Sequence, residues 1–559
     1  MATATATGMA TATGRPTARP RWARARPDAM TGTPVFRRRP LSLASAAALS
    51  ALAALALAHG AARAQEADTA SQGTERKGFT VVPRVSVTET WTDNLALSPA
   101  GSRDKALITQ VSPGITLSSQ SGAVRGMFDY TLDGLVYLKS DRQSRLQNQL
   151  NTRGTAELVP QALFVDVQGN ISQQSVSAFG QQAPSNQLDN PNRTEMRTLQ
   201  VSPYWRGTLG SLANFELRAA GQIRNSSENT SGIGGVGANS GDSKDGSLSL
   251  NIGGPQGRVL NWGLQASTRR IHFDQTGIDN RTTTVQGSLT WVPDIDWTLG
   301  TNVGRERSDY FGSDTSTVYG FSAKWTPTPR TRIEGDWQHH SYGDSHNLSI
   351  EHRMTQIALR ASNSQSVTTN DAPTGQASNY QLLDLQFSGI EPDPVKRDAL
   401  VRAVLAAMGL NGDALTGNGF ISNTAMLQKR TEVSIGWNGP RLVATLAAND
   451  STTTRLGVSP TGTGDLSLTN RIRQRGASIS LAYRFTPLSS GNLTYTRQHT
   501  VGDDIGSTDM KSLMANVAIR LGPRSDANLG LRHTRYDDGV FANSGYRENA
   551  LFASLTQRF

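Results

Sequence analysis

The residues best equipped for chemistry fall in one run, Gly335–His352, which reads "GDWQHHSYGDSHNLSIEH". It carries Asp336, His339, His340, Ser341, Asp344, His346 and His352. A hydroxyl, an imidazole and a carboxylate brought together are the parts of a hydrolytic nucleophile. Converging imidazoles and carboxylates could instead hold zinc. The spacing favours neither. On an extended strand the neighbours His339 and His340 project from opposite faces, so one ion cannot take both without a bulge. A strand followed by a polar loop is the plainer reading. We therefore expect no enzyme here: no catalytic residue, no metal and no cofactor. The remaining chain has no Walker loop, no GxGxxG before a helix, no HExxH and no GxSxG turn. With no cysteine anywhere, disulfides, thiolate metal sites and lipid-modified cysteines are excluded.

What would position such a run is a long series of strands. In "ASISLAYRF", Ile479, Leu481, Tyr483 and Phe485 share one side, while Ser478, Ser480, Ala482 and Arg484 share the other. "SLSLNIGG", "EVSIGWN", "LFVDVQGNIS" and "SLMANVAIRLG" alternate in the same way. Period-two patterning over about 10 residues, repeated between turn signals, marks a transmembrane β-barrel. Composition agrees. Only 36% of the chain is hydrophobic, with 54 glycines, which is poor for soluble cores but adequate where alternate residues face lipid. Regularly recurring Val, Leu, Ile, Tyr and Trp argue against disorder. A propeller or solenoid would show a fixed repeat length, and none is visible.

The net charge of +10 belongs mostly to the first 64 residues, where nine Arg and one Asp leave only +2 for the remainder. No basic patch with interleaved aromatics follows, so nucleic acid is not an expected partner. "FRRRPLSLASAAALSALAALALAHGAARA" has a basic start, an apolar stretch from Leu41 to Ala58, and a small-x-small cleavage site at Ala62 and Ala64. We read 1–64 as a cleaved signal peptide, with Met30 as an alternative start. Residues 65–78 are then a periplasmic linker and 79–559 an outer-membrane barrel.

Connections sort by length. Short turns include Val159–Ala162, Val292–Asp296, Thr326–Thr331, Asn438–Arg441 and Thr486–Asn492, with long polar stretches such as 449–471 between them. Short periplasmic turns and long external loops are the barrel pattern. Tyr204, Trp205, Trp291, Trp297, Trp325 and Phe485 cluster beside the short turns, as an interfacial aromatic belt requires. Leu551, Leu555 and Phe559 share one face of the final run, interrupted by Gln557. We take them as the signal read by the barrel-assembly machinery.

The count comes to 21 strands, and an even number of about 20–22 is expected. The mismatch arises because "RMTQIALRAS" (Arg353–Ser362) and "RTEVSIGW" (Arg430–Trp437) both run towards short turns. The reading therefore sends 363–423 across the membrane, by way of a strand at Tyr380–Gly389 or through the lumen. This insertion also holds the clearest helix signal. Asp393 caps it, Pro394 follows, and Leu400, Val401, Val404, Leu405 and Met408 form an apolar stripe. Such a helix would cap a rim or gate the lumen. No plug-sized segment separates Ala64 from the first strand, which disfavours a TonB-dependent receptor.

"VPRVSVTETWTDNLAL", "VSPGITLSSQSG", "LQVSPYWRGTLG", "IEPDPVKRDALVRAVLAAMGL" and the Arg-Phe terminus occur in this order. In this the chain resembles the PEP-CTERM system-associated outer-membrane proteins, linked to exosortase and exopolysaccharide production. The resemblance implies an all-β fold: a single large transmembrane antiparallel barrel with one short helical insertion. It also implies outer-membrane lipid, exopolysaccharide and periplasmic export proteins as partners. It supplies no catalytic residues. A conduit for glycan, a glycan-binding scaffold and a general porin all fit that setting.

Overall fold

The computed structural model describes residues 78–559, apart from 121, 139, 141, 228–240, 256, 311, 313, 369–419, 458–463 and 541–543. Twenty-two antiparallel strands make one sheet. The first six are β1 (Phe79–Thr92), β2 (Ala106–Gln120), β3 (Val124–Leu138), β4 (Arg145–Val159), β5 (Leu163–Ser175) and β6 (Arg193–Leu209). Next come β7 (Ala213–Ser226), β8 (Ser243–Gly253), β9 (Leu260–Phe273), β10 (Ile278–Trp291), β11 (Trp297–Ser308) and β12 (Asp314–Thr328). Then follow β13 (Thr331–His340), β14 (Gly343–Arg353), β15 (Ile357–Thr368), β16 (Met426–Asn438) and β17 (Leu442–Arg455). A four-residue helix α1 (Asp465–Leu468) precedes β18 (Arg471–Thr486), β19 (Ser489–Gly502), β20 (Gly506–Arg520), β21 (Ser525–Asp538) and β22 (Tyr546–Arg558).

Each strand pairs with its sequence neighbours, and β1 pairs with β22 from Arg84↔Arg558 to Thr92↔Ala550. The sheet is thereby closed and has no edge. Closure matters because an unpaired amide in hydrocarbon costs several kcal/mol, so only a closed sheet can span lipid with strands. The outward face is apolar and exposed: Leu531 is 59% accessible, Phe321 58% and Val303 61%. Apolar exposure continued around a closed sheet marks a lipid-facing surface. Opposite this face, the lumenal positions are mostly Thr, Ser, Asn, Gln and charged residues, with apolar and aromatic side chains such as Phe164, Met510 and Tyr536 among them. We expect Leu551→Arg, which would sit between outward Trp91 and Leu531, to cost about 2–4 kcal/mol near mid-membrane. The check is a lower temperature for loss of the heat-modifiable folded band.

The turns named above, Val159–Ala162, Val292–Asp296, Thr326–Thr331, Asn438–Arg441 and Thr486–Asn492, all fall on one rim. There Trp297 stacks on Trp325 (5.3 Å between centroids), Trp205 meets Phe215 edge-on at 5.0 Å, and Tyr483 meets Phe485 at 5.6 Å. One expected belt member changes sides. Tyr204 precedes Trp205 on β6, so it must take the opposite face, and it stacks on lumenal Phe164. Leu551, Leu555 and Phe559 do share the outward face, 46%, 36% and 47% accessible.

The even strand number resolves the parity problem by correction. Arg353–Ser362 is not one strand: it contains the end of β14, the turn 354–356 and the start of β15. The strand that went uncounted, β14, pairs with β13 from Thr331↔His352 to His340↔Gly343. Only Ser341 and Tyr342 link the two, with Gly343 supplying the φ of +113° that a side chain would resist. Leu348 and Ile350 are its lipid-facing aliphatics, flanked by His346 and His352, so the run lacked an apolar alternation. No crossing is then needed between Arg360 and Arg430. β15 pairs directly with β16, Thr368 against Met426 at the long-loop rim, and Asn363–Thr368 belongs to β15. The expected strand at Tyr380–Gly389 and the helix carrying Asp393, Leu400, Val404, Leu405 and Met408 lie outside the described residues. So do the cleavage residues Ala62 and Ala64.

Candidate functional site: a hydrogen-bonded loop across the lumen mouth

Residues 176–192, between β5 and β6, turn inward from the long-loop rim. Four of their apolar side chains are covered: Ala178, Phe179 and Leu188 are each 1% accessible, and Ala183 2%. Leu188 and Ala183 pack with Leu97, Met510, Tyr536 and Tyr546. Ala178 and Phe179 pack with Met426, Leu466 and Ile472, flanked by Phe420, Ile505 and Val540. Thus side chains from many staves meet one loop inside the barrel.

Polar contacts pin the loop backbone. Tyr536 donates its hydroxyl to the carbonyls of Phe179 (3.0 Å) and Gly180 (2.9 Å), and Tyr546 donates to Gln182. Farther along the same run of strands, across the β22–β1 seam, Tyr137 donates to the Gln187 carbonyl at 3.0 Å. Arg145 donates to the carbonyls of Asn186 (3.1 Å) and Leu188 (2.9 Å), and Gln147 also reaches Asn186. The Gln187 amide donates to Gln110 (2.6 Å) and accepts from Thr90 (2.9 Å). β1, β2, β3, β4, β21 and β22 therefore all hold this one segment. Gly180 is needed for the closest approach, since a Cβ there would run into the Asn192 side chain.

A third anchor comes from α1. The wholly buried Asp465 accepts from Ser177 Oγ and from the Ala178 backbone N–H, both at 2.6 Å. Desolvation raises its pKa from 3.8 to about 6, outweighing these two donors, which favour the charged form. The sign follows from linkage. Between those two values the folded chain keeps a proton that the unfolded chain has released. The stability contribution is thus full at acid pH and is lost as the pH rises through about 6. We expect protease sensitivity of 176–192 to increase from pH 5 to pH 7, and Asp465→Asn to remove that dependence. Residues 420–425 also turn inward: Phe420 bridges Ser175 in parallel, and Ile421 is 1% accessible.

A bidentate ion pair lies on the wall near this loop. Arg532 donates to Glu548 at 2.7 and 3.1 Å, and Thr92 donates to the same carboxylate at 3.0 Å. Glu548 is 0% accessible. Nearer the short-turn rim, Phe164 and Tyr204 stack at 5.0 Å with 12° between planes. Arg206 lies 4.3 Å over Phe164, and Arg218 lies 4.0 Å over Tyr204. Arg218 is also paired with Asp166 and Glu216. Beside this column is a groove of about 690 Å³, lined by Arg206, Asn214, Glu216, Asn251, Gln265 and Ser288 among others.

The histidine run is split as its spacing required. His339 contacts Asp344 (2.7 Å) on the outer face, and His340 contacts Glu306 (2.9 Å) on the lumenal face. Ser341 Oγ also goes to Glu306, at 3.1 Å. The hydroxyl and imidazole are thus both tied to one carboxylate instead of lined up as nucleophile and base. Asp336 and Asn347 meet at 3.3 Å, and His346 and His352 contact Asn363 and Thr331. Among the described residues no group of three or more His, Asp or Glu could hold a metal.

Sequence reading did not single out the mouth loop. Its one usable signal is "GQQAPSNQLDN", dense in carboxamides that both donate and accept.

No protein-family model matches the chain, and no curated protein matches it. Among solved structures it is similar to the FrpB iron transporter from Neisseria meningitidis (F5-1 variant), with TM-score 0.44, 11% identity, 86% of this chain and 83% of that chain. A mutant ferric enterobactin receptor (PfeA) from Pseudomonas aeruginosa gives TM-score 0.43 at 11% identity, covering 86% and 80%. Pseudomonas aeruginosa OpdK with vanillate gives TM-score 0.32 at 11% identity, covering 86% and 99%.

Proposed function

We propose that this barrel sits in a Gram-negative outer membrane and acts there in exopolysaccharide production or export, as a non-enzymatic conduit for glycan. The observation that carries the reading is the lumen of a closed, lipid-belted barrel. Its wall is dominated by amides and hydroxyls, with cations and carboxylates largely paired, so it carries no strong single-sign field. Such a wall suits a hydroxyl-rich chain that exchanges hydrogen bonds as it moves. Beside the Arg206–Phe164–Tyr204–Arg218 column, the groove adds Asn214, Glu216, Asn251, Gln265 and Ser288, donors and acceptors that a sugar's hydroxyls can meet. The sequence resemblance supplies the exopolysaccharide setting. The signal peptide and the barrel-assembly signal fit export to that membrane.

Gene deletion tests the biological part. Surface polysaccharide should fall while precursor builds up in the periplasm; undiminished surface polysaccharide would remove the reading. Planar-bilayer recording then separates a conduit from its rivals. A conduit gives current that neutral oligosaccharide blocks. A scaffold binds glycan without conducting, and a general porin conducts without sugar block.

A further inference from the structure

On the outer surface of β19–β22, four cations stand directly opposite one another in one cross-strand row. Arg497 pairs with Lys511, Lys511 with Arg535, and Arg535 with Arg547. Like charges placed opposite across strands repel, so the row needs counter-charge. The protein supplies only part of it. Asp509 is shared by Arg497 (2.7 Å) and Lys511 (3.7 Å), and Asp537 serves Arg535 (2.9 Å). Arg547 has no carboxylate partner among the described residues. On one flank Asp450 is shared by Arg473 and Arg475, and on the other Asp93 meets Arg103. Seven cations thus face four carboxylates.

The row's height on the wall decides what could complete it. One pair step (two residues) nearer the short-turn rim, the outward positions are Tyr495, Leu513, His533 and Asn549; a further step reaches Leu493, Ala515, Leu531 and Leu551. Leu493 is 42% accessible, Leu513 43% and Leu531 59%, as lipid-facing side chains are. The cations therefore border the apolar band on its long-loop side. Arg497 and Arg535 keep side-chain accessibilities of 53% and 45%. Long cationic side chains at this depth can lay their stems on acyl chains and hold their charge among headgroups.

We propose that this row is a binding site for the phosphorylated headgroup of an outer-leaflet glycolipid, the phosphates bridging Arg497, Lys511, Arg535 and Arg547. The orientation, with long loops outside, rests on the outer-membrane reading above. The probe is bisphosphorylated lipid A added to the purified full-length barrel in mild detergent and followed by native mass spectrometry. Wild-type protein should retain it. The quadruple variant R497Q/K511Q/R535Q/R547Q should lose at least most of that retention, and R497K/R535K/R547K should keep it. The double variant R305Q/K429Q, which removes exposed outward charge on β11 and β16, should match wild type. Dephosphorylated lipid A should bind wild type no better than the quadruple variant does. Heat-modifiable migration verifies that each variant is folded. Equal retention by the quadruple variant would overturn the site. Displacement by inorganic phosphate at equal concentration would overturn the lipid as its source. Because binding is read on purified protein, failure here is separable from a failed localisation, which membrane fractionation reads.

Discussion

Replacing Ala178–Asp189 with a short glycine–serine linker raises single-channel conductance in planar bilayers several-fold, while the barrel stays heat-modifiable. The wall and its closure do not depend on these residues, because every β5 and β6 ladder partner lies outside them. The lumen mouth does. The segment is held by at least six wall side chains and by Asp465, and it buries Phe179 and Leu188 inside the cylinder. Smaller cuts grade the effect. Tyr536→Phe removes two hydrogen bonds to buried carbonyls, at about 1–3 kcal/mol for acceptors left unsatisfied. It should produce brief openings instead of a permanently wider pore. Unchanged conductance after the full replacement would mean that the current follows another path.

Arg532→Met destabilises the folded barrel by about 3–5 kcal/mol, because it strands the fully buried Glu548 carboxylate with only the Thr92 hydroxyl donating to it. The double variant Arg532→Met/Glu548→Met recovers most of that loss, since neither charge is then left unpaired. Urea unfolding in detergent micelles, followed by band shift, measures both. Equal loss in single and double variants would show that packing, not charge, dominates at this position.

The architecture was legible because lipid imposes a two-residue period on every stave. Ile479, Leu481, Tyr483 and Phe485 could be assigned to one face from spacing alone, and the structure turns them outward. Turn lengths likewise separated the two rims along much of the chain, but failed at β13–β14, where a two-residue link sits on the long-loop rim. Legibility failed where lipid stops dictating sequence. β17 continues through Asn449–Arg455, and β14 carries histidines at outward positions. Backbone pairing, which is blind to side-chain polarity, extends both strands past the apolar band. The same limit hid Tyr204: proximity to a turn suggested the belt, but its neighbour Trp205 already occupied the outward side.

What the sequence determined by itself, then, was a period, a count within one strand, and two unlike rims. Those follow from local rules: alternation along a strand and the length of each link. The tertiary structure decided what fills the mouth. Residues 176–192 meet partners on β1 to β4 and on β20 to β22 that lie as much as 364 residues away in sequence. Their carboxamides and carbonyls can be satisfied equally by water or by a wall. Only closure of the sheet, β1 against β22, brings Tyr137 and Tyr546 to the same loop.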